Sequence, residues 1–375
     1  MDFAKSDIQT MLLDSAERLL SPSAHIEYWR EQRHAPLGFE EARWAQFAEL
    51  GWLALPAPED AGGLGGTLED IALLNIALGR ALAIEPYAST AVLAAHILNG
   101  ATDREQGEAL LGEIVSGGLR IALAHQEPGA DPLAGTAATT VATRSGEGFL
   151  LGGRKAMVLD ASSASRLIVT ARIEGEEGTG LFLVDADAVG IVMRAYPLID
   201  GTRAADVDFT GVALPASALL VGGNAGEALL EEAVARATIA QMAQAVGSME
   251  ACLAICGDYV KERKQFGVAI GSFQALQHIM ADMFIAAHQA RSMLYHAIAH
   301  SRRSPEERRA ALSAARIVIG EAGQCVSRNG IQVHGGYGLT DEYAISHHFR
   351  RLMALEKQYG DLYAHTERFG AHVLA

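Results

Sequence analysis

The segment YVKERKQFGVAIGSFQALQH, residues 259–278, interrupts two long helical patterns. Basic residues are favoured in the last turn of a helix and glycine is favoured just after it. Arg263 and Lys264 followed by Gly267 therefore predict a helix end. The same break is also a candidate ligand contact, because Arg263 carries a planar fork suited to a diphosphate and Phe266 carries a flat apolar ring.

The spacing of apolar residues divides the chain into three parts. Residues 1–115 have the helical spacing, residues 116–223 are short Val-, Ile- and Thr-rich runs between turns, and residues 224–375 are helical again. We predict an α+β protein with an N-terminal all-α domain, a middle β-barrel or sandwich domain of about seven strands, and a C-terminal four-helix bundle.

Two details of the bundle are predicted from its sequence. Its third helix should begin at Ser304, because Ser304, Pro305 and Glu307 combine a capping box with a proline in the first turn. Its fourth helix is predicted to run from about residue 341 to the end of the chain.

The totals restrict the classes of partner. The chain has 375 residues, 50% of them hydrophobic, and a formal net charge of −15. Such a charge repels phosphate backbones, so nucleic acid is not an expected partner. The first residues lack a signal-peptide pattern, and we find no continuous apolar run of membrane-spanning length. A cytoplasmic protein without membrane insertion is predicted.

The chain contains three cysteines, and two of them could share one helix face. Cys252 and Cys256 are four residues apart, so a metal pair is one interpretation. The alternative is that both are small core residues with reduced thiols. Because no further ligands lie nearby in sequence, we predict no metal site.

Two glycine-rich segments are further candidates for ligand contact. NGIQVHGGYGLTDEY, residues 329–343, offers the amide of Gln332 and the exposed backbone of Gly335 and Gly336. PAPEDAGGLGG, residues 56–66, could cradle a phosphate, although such a loop without a following Lys-Ser or Lys-Thr is more often a turn.

The motifs ERKQFG, FQALQH, IQVHGGYG and PEDAGGLGG together resemble the acyl-CoA dehydrogenase family of flavoenzymes over nearly the whole chain. The resemblance implies FAD bound between the β domain and the bundle, with its adenosine diphosphate half reached from a neighbouring subunit. The cofactor contacts it implies are Arg263, Gln265, Phe266, Gln332, Gly335, Gly336, Gln126, Met157 and Leu159.

The β domain departs from the family pattern beside the expected flavin. HQEPGADP, residues 125–132, stands where the family often has T-E-P-G-A-G-S-D, and Met157–Leu159 replaces Trp-Ile-Thr. Gln126 keeps the ability to hydrogen-bond the ring edge, whereas Leu159 lacks a hydroxyl. His125 abuts the expected flavin and is a further candidate.

The family's catalytic glutamate is missing. Family chemistry needs a carboxylate that removes the α-proton of an acyl thioester while a hydride passes to the flavin. By resemblance, the two known positions of this base fall on Tyr359 and Ala237. Asp361, two residues beyond Tyr359, is the candidate replacement. Tyr359 itself could fill the acyl pocket.

Two functions follow from the resemblance. The first is an FAD-dependent acyl-CoA dehydrogenase that forms an α,β-double bond with an unusual base. The alternative is a non-catalytic subunit that completes the FAD site of a hetero-oligomer, as in the small-subunit type that acts on steroid or dicarboxylyl thioesters. The implied partners are acyl-CoA, an electron-transfer flavoprotein, and either identical chains in a homotetramer or a catalytic subunit in a heterodimer or heterotetramer. An oxygen-using flavoenzyme is a third possibility.

Overall fold

The computed structural model describes residues 5–131, 133 and 139–374. The order is helices, then a sheet, then helices, which confirms the predicted α+β arrangement. Contacts between residues divide the described part of the chain into two compact units. The bundle unit contains residues 5–30, 72–83 and 239–374, and the sheet unit contains residues 31–71 and 84–238. The domain limits at 115/116 and 223/224 stay a prediction.

The N-terminal part is helical, as its apolar spacing predicts. Its helices are α1 (Asp7–Leu19), α2 (Pro22–Gln32), α3 (Glu41–Glu49), α4 (Leu68–Arg80), a π-helix (Ala88–Ala94), α5 (Ala95–Asn99) and α6 (Arg104–Val115). A capping box between Ser6 and Gln9 begins α1. The glycine-rich loop at residues 56–66 folds onto itself: the N–H groups of Gly63 and Gly65 donate to carbonyls of the same segment, and that of Gly66 donates to the carbonyl just before it, as expected of a turn.

The middle part is a β-sheet. Its strands are β1 (Ile121–Ala124), β2 (Val141–Ser145), β3 (Gly148–Leu159), β4 (Arg166–Ile173), β5 (Thr179–Asp185), β6 (Ile191–Pro197), β7 (Arg203–Leu214) and β8 (Leu219–Val221). In the described part of the chain they form an eight-stranded sheet of order β6-β7-β3-β2-β4-β5-β8, with β1 pairing parallel to β4. The sheet has one strand more than the seven predicted. The additional strand is β8, which is too short to show an alternating pattern.

The sheet buries an apolar face and bends at β3. Leu151, Phe182 and Val207 belong to its core cluster. The pairing of β3 with β7 shifts register between Lys155 and Val158. This bulge directs the backbone of the segment in which the flavin contacts are predicted, and bulges commonly reorient side chains next to functional sites.

The C-terminal part consists of helices interrupted by a hairpin. Its elements are α7 (Gly223–Glu262), β9 (Lys264–Gln265), β10 (Val268–Ala269), α8 (Gln274–His300), α9 (Pro305–His334), α10 (Ala344–Lys357) and α11 (Leu362–Leu374). The capping box at Ser304 is confirmed: its hydroxyl accepts from the N–H of Glu307, and the Glu307 carboxylate accepts in return. The single fourth helix is wrong, because Tyr359 and Gly360 have φ of 52° and 89° and separate α10 from α11.

Helices α4 and α7 approach closely within the bundle unit. A Cβ on Gly79 would lie 2.0 Å from the Gln244 carbonyl oxygen, and one on Gly247 would lie 2.0 Å from that of Ile76. The side-chain amide of Gln244 also donates to that of Asn75 at 2.9 Å. Only glycine at both positions allows this backbone contact.

Helix α7 is also the longest apolar helix. Among the described residues, it is the one helix whose length and composition would allow it to cross a membrane. Because 67% of its most apolar window is buried inside the protein, this composition is accounted for by packing in the fold. Cys252 and Cys256 lie on it, fully buried, and no group of three potential metal ligands occurs in the described ranges.

Candidate functional site

The segment after α7 forms a tight hairpin. Strands β9 and β10 pair antiparallel, with Gln265 opposite Val268. The turn residues Phe266 and Gly267 have φ of 53° and 83°, the left-handed pair that a type I′ hairpin turn requires. The prediction that Gly267 caps a helix is therefore wrong, because α7 ends at Glu262 and Gly267 completes the turn.

The hairpin brings three predicted cofactor contacts together. Phe266 is at its tip and is 94% exposed, although its ring meets that of Phe273 edge-on at 6.2 Å. Arg263 is at the base, where its carbonyl accepts from the N–H of Ile270 at 2.9 Å. Gln265 is also exposed. A guanidinium, an amide and an aromatic ring are thus presented on one projecting element.

The other predicted contacts of the bundle unit lie at the C-terminal end of α9. Gln332, Gly335 and Gly336 are all exposed there. Gly335 has φ of 61°, and a Cβ added to Gly336 would meet no atom of the other described residues within 4 Å. Packing inside the chain therefore does not explain Gly336, whereas a bound group that approaches the backbone would.

An aromatic stack holds the ends of α7 and α9 together. The ring of Tyr259, one turn before Arg263, lies 4.2 Å from that of His334, and His334 lies 4.9 Å from Tyr343. His334 is buried, and its Nδ1 donates to the carbonyl of Gly330 at 2.7 Å. The hairpin and the Gln332–Gly336 segment consequently lie at the same end of the bundle unit.

The predicted contacts of the sheet unit are also adjacent. The Ala156 N–H donates to the carbonyl of Gln126 at 2.8 Å, which joins the segment after β1 to the bulge of β3. Met157 lies in that bulge with φ of 49°, and its N–H donates to Oδ1 of Asp206 at 3.2 Å. Gln126, Met157 and Leu159 are all half-buried. Pro132, in the same sequence motif, lies outside the described residues.

A buried ion pair beneath these contacts was not predicted from the sequence. Nζ of Lys155 lies 3.0 Å from Oε1 of Glu127, and the two side chains are 0% and 4% exposed. Lys155 also donates to the His125 carbonyl and to the Thr170 hydroxyl. Nδ1 of His125 lies 3.1 Å from that hydroxyl. The ion pair therefore fixes the backbone that precedes Gln126.

Hydrogen bonds keep the Glu127 carboxylate ionised. Burial opposes ionisation, but the hydrogen bonds from Thr140 and Lys155 outweigh it and lower the pKa of Glu127 to about 2. The N–H groups of Thr139 and Thr140 both donate to this carboxylate. From the sequence, Glu127 and Lys155 are recognisable as polar residues in or near strands. The sequence does not show that their side chains form an ion pair.

Ala237 and Tyr359, the two predicted positions of the family base, are not acids. Ala237 is fully buried in α7, and the hydroxyl of its neighbour Thr238 donates to the carbonyl of Val234 at 2.7 Å. Tyr359 is half-buried in the turn between α10 and α11.

The carboxylate of Asp361 is engaged by its own helix. Its Oδ1 accepts from the N–H of Ala364 at 3.0 Å, and its Oδ2 lies 3.4 Å from Nζ of Lys357. The Ala364 hydrogen bond and the Lys357 charge lower the pKa of Asp361. The carboxylate thus caps the N-terminus of α11.

The family follows from comparison with known proteins. The descriptions "Acyl-CoA dehydrogenase, N-terminal domain" and "Acyl-CoA dehydrogenase, C-terminal domain" match residues 6–118 and 224–369. "Probable acyl-CoA dehydrogenase YngJ" of Bacillus subtilis is 30% identical, over 93% of this chain and 92% of its own. The chain belongs to the acyl-CoA dehydrogenase family. It is an oxidoreductase of that family, whose members depend on FAD.

Solved structures with the same fold include two whose names join a pair of proteins. A variant of the Tcur3481-Tcur3483 steroid ACAD is 29% identical with a TM-score of 0.88, and the match covers 98% of each chain. The ChsE4-ChsE5 complex from Mycobacterium tuberculosis is 25% identical with a TM-score of 0.88, covering 100% of this acyl-CoA dehydrogenase and 99% of that chain.

The residues present in this acyl-CoA dehydrogenase fit FAD. The diphosphate suits the exposed guanidinium of Arg263, and the open backbone at Gly336 leaves space for a ligand that the chain itself does not fill. In the sheet unit, half-buried Gln126, Met157 and Leu159 combine an amide with apolar surface, which suits a ring system with polar edges.

Proposed function

We propose that this chain is an FAD-dependent subunit of an acyl-CoA dehydrogenase assembly in which another subunit supplies the proton-removing carboxylate. One observation carries the proposal: the carboxylate of Asp361, the acid two residues beyond Tyr359, is held by Ala364 and Lys357. Tyr359 and Ala237, which by resemblance would stand at the two base positions, are not acids. A general base needs a free lone pair directed at the substrate. A helix cap and an ion pair compete with that role.

The proposed reaction is α,β-dehydrogenation of an acyl-CoA thioester. FAD, when bound, supplies the hydride acceptor. In this chain, Arg263, Gln265 and Phe266 on the hairpin would hold the adenosine diphosphate half of a cofactor shared with a neighbouring subunit. Gln126, Met157 and Leu159 would orient the ring, and Gln332, Gly335 and Gly336 would line the remaining contact. Tyr359 would fill space at the acyl group.

Support for a mixed assembly comes from two sources. Both matched structures, Tcur3481-Tcur3483 and ChsE4-ChsE5, are named as pairs of chains. In addition, Phe266 at the hairpin tip is 94% exposed, so its ring is accessible to a neighbouring subunit. We further propose an acyl-CoA substrate of the steroid side-chain class, a cytoplasmic location, and reoxidation by an electron-transfer flavoprotein.

The test is an anaerobic flavin spectrum of the purified chain before and after addition of butyryl-CoA and of a steroid side-chain acyl-CoA. We expect no bleaching with the chain alone. Bleaching should appear when the chain is co-purified with a homologue from the same genome that retains the family glutamate. Bleaching of the single chain by either thioester would contradict the proposal.

A second candidate is a self-sufficient enzyme with Asp361 as the base. It is favoured by the position of Asp361, two residues from Tyr359, and by a side chain that is 37% exposed. Asp361→Asn keeps a capping oxygen but removes the base. If Asp361 is the base, acyl-CoA should bleach the flavin of the wild-type chain alone but not that of the Asp361→Asn variant. Unchanged bleaching would rule Asp361 out.

A further inference from the structure

A single buried arginine lies behind the turn that carries Tyr359. The guanidinium of Arg316, on α9, is within hydrogen-bond distance of four backbone carbonyl oxygens. They belong to Leu355 (3.3 Å), Glu356 (3.2 Å), Gln358 (2.9 Å) and Gly360 (2.8 Å). Arg316 is 5% exposed. Burial lowers the pKa of Arg316 to about 10, so the group stays charged at neutral pH.

The carbonyls point at one place because two structural features meet there. Helix α10 ends at Lys357, which leaves the Leu355 and Glu356 carbonyls without a full set of partners in the helix. The left-handed turn at Tyr359 and Gly360 then directs the next carbonyls to the same side. A cation is favoured at this point by the negative end of the helix dipole. A forked guanidinium can reach several acceptors at once.

A second side chain fixes the remaining peptide plane. Nε2 of His365, on α11, donates to the Tyr359 carbonyl at 3.0 Å, and its Nδ1 lies 3.1 Å from the Ser313 hydroxyl. Burial lowers the pKa of His365 to about 4, so it is neutral and can accept from Ser313 while donating to Tyr359. The Gln358 carbonyl is held by Arg316 and the Tyr359 carbonyl by His365.

These contacts determine the direction of the Tyr359 side chain. The peptide planes on either side of a residue set its φ and ψ, and these set the direction of its Cα–Cβ bond. Tyr359 has φ of 52°, which is unfavourable for a residue with a Cβ and persists only where neighbours impose it. Without the two donors, the turn would relax to negative φ and the phenol would point elsewhere.

We propose that Arg316 is a positioning residue that, together with His365, fixes the left-handed turn at Tyr359 and so the place of the Tyr359 phenol. The importance of that place for the reaction rests on the proposed function, because Tyr359 stands where the family base is expected. The backbone contacts of Arg316 and His365 lie within this chain and need no partner subunit.

The experiment uses the full-length chain labelled with 3-fluorotyrosine, with Tyr359→Phe assigning the Tyr359 signal in the ¹⁹F NMR spectrum. Arg316→Met removes the donor to the turn. His365→Phe removes the second donor but keeps an aromatic ring. Both should move or broaden the Tyr359 signal in the same way. Arg316→Lys, which keeps the charge, should restore part of the native signal. Arg328→Met, on the exposed face of the same helix, is the matched control and should change nothing.

Amide hydrogen exchange separates positioning from general stability. We expect Arg316→Met to accelerate exchange in the peptide covering residues 357–365 by about tenfold or more, with little change in α8. Tyr359→Gly in the Arg316→Met background should reverse most of this acceleration, because glycine adopts the left-handed turn without strain. Equal acceleration in all peptides, or an unmoved Tyr359 signal, would overturn the proposal. If Arg316→Met does not fold, Arg316→Lys and His365→Phe test the same turn by the same two measurements.

Failure of this inference and failure of the proposed function are distinguishable. The ¹⁹F and exchange measurements need neither acyl-CoA nor a second subunit. A chain that bleaches alone but keeps a fixed Tyr359 would contradict only the hetero-oligomer. A mobile Tyr359 in wild-type protein would contradict only the role of Arg316.

Discussion

At the scale of single residues, Phe266 combines two unfavourable properties. Its φ of 53° is in the left-handed region, which costs a residue with a Cβ roughly 1 kcal/mol or more. Its side chain is 94% exposed. The turn itself does not require phenylalanine, because asparagine adopts this turn conformation more readily. Strain at an exposed aromatic residue is typical of a contact made with another molecule.

The first prediction concerns Phe266→Asn. The melting temperature should be unchanged or slightly higher, because asparagine tolerates the turn conformation. FAD affinity should fall by about tenfold or more, equivalent to about 1.4 kcal/mol of lost contact. The measurement is a fluorescence titration with FAD of the apo-assembly formed by this chain and the co-purified homologue. Phe284→Asn, which removes a 54% exposed Phe from α8, is the control. Equal FAD affinity in wild type and Phe266→Asn would contradict the role of the hairpin.

At the scale of elements, the helices were predictable where local signals are unambiguous. The capping box of Ser304 and Glu307 specifies the start of α9 by itself. The end of α7 was predictable from its basic residues, but the hairpin after it was not, because a glycine that follows them suits a helix cap as well as a type I′ turn. The break between α10 and α11 lacks proline, and the left-handed Tyr359 is held by Arg316, a residue distant in sequence.

The candidate site shows the same division. Motif resemblance named the hairpin and the Gln332–Gly336 segment, and the structure places both at one end of the bundle unit. The Glu127–Lys155 pair could not be predicted, since Glu127 lies in the loop after β1 and sequence pattern alone does not show which distant side chain it meets in the fold.

The second prediction concerns that pair, which ties the end of β1 to β3. Glu127→Gln leaves the Lys155 charge buried without its carboxylate, and should lower the free energy of unfolding by about 3 kcal/mol or more. The double variant Glu127→Gln with Lys155→Met should recover part of the loss, because no unpaired charge remains. Urea denaturation measures both. Glu147→Gln, at an exposed turn, is the control. If the double variant lost as much free energy of unfolding as the Glu127→Gln and Lys155→Met variants together, the pairing would be contradicted.

At the scale of the whole molecule, buried neutral histidines determine how the protein responds to acid. Burial, with the Arg351 charge, lowers the pKa of His348 to about 3, and burial lowers that of His365 to about 4. An unfolded chain would protonate both near their ordinary pKa of 6.5. Below that pH the unfolded state therefore binds more protons than the folded state, and folding weakens.

The third prediction is a melting temperature that is steady above about pH 6.5 and falls steadily below it. Each histidine should contribute about 1.4 kcal/mol per pH unit until the pH approaches its folded pKa. The ionised Glu127 adds a further loss as the pH falls through 4.5 towards 2. Calorimetry from pH 8 to pH 4 measures the histidine contribution, and His348→Gln should make the slope shallower. A constant melting temperature between about pH 6.5 and pH 5 would contradict it.

The buried thiols of α7 have a practical consequence. Cys252 and Cys256 are fully inaccessible, and burial raises the pKa of Cys256 to about 12, so neither forms the thiolate that reacts with disulfide reagents. Cys325 is only half-buried. A colorimetric thiol reagent should therefore modify Cys325 first and the α7 pair only when that helix is transiently exposed. The rate of the slow labelling phase then reports how often α7 opens in the native protein, without any engineered cysteine.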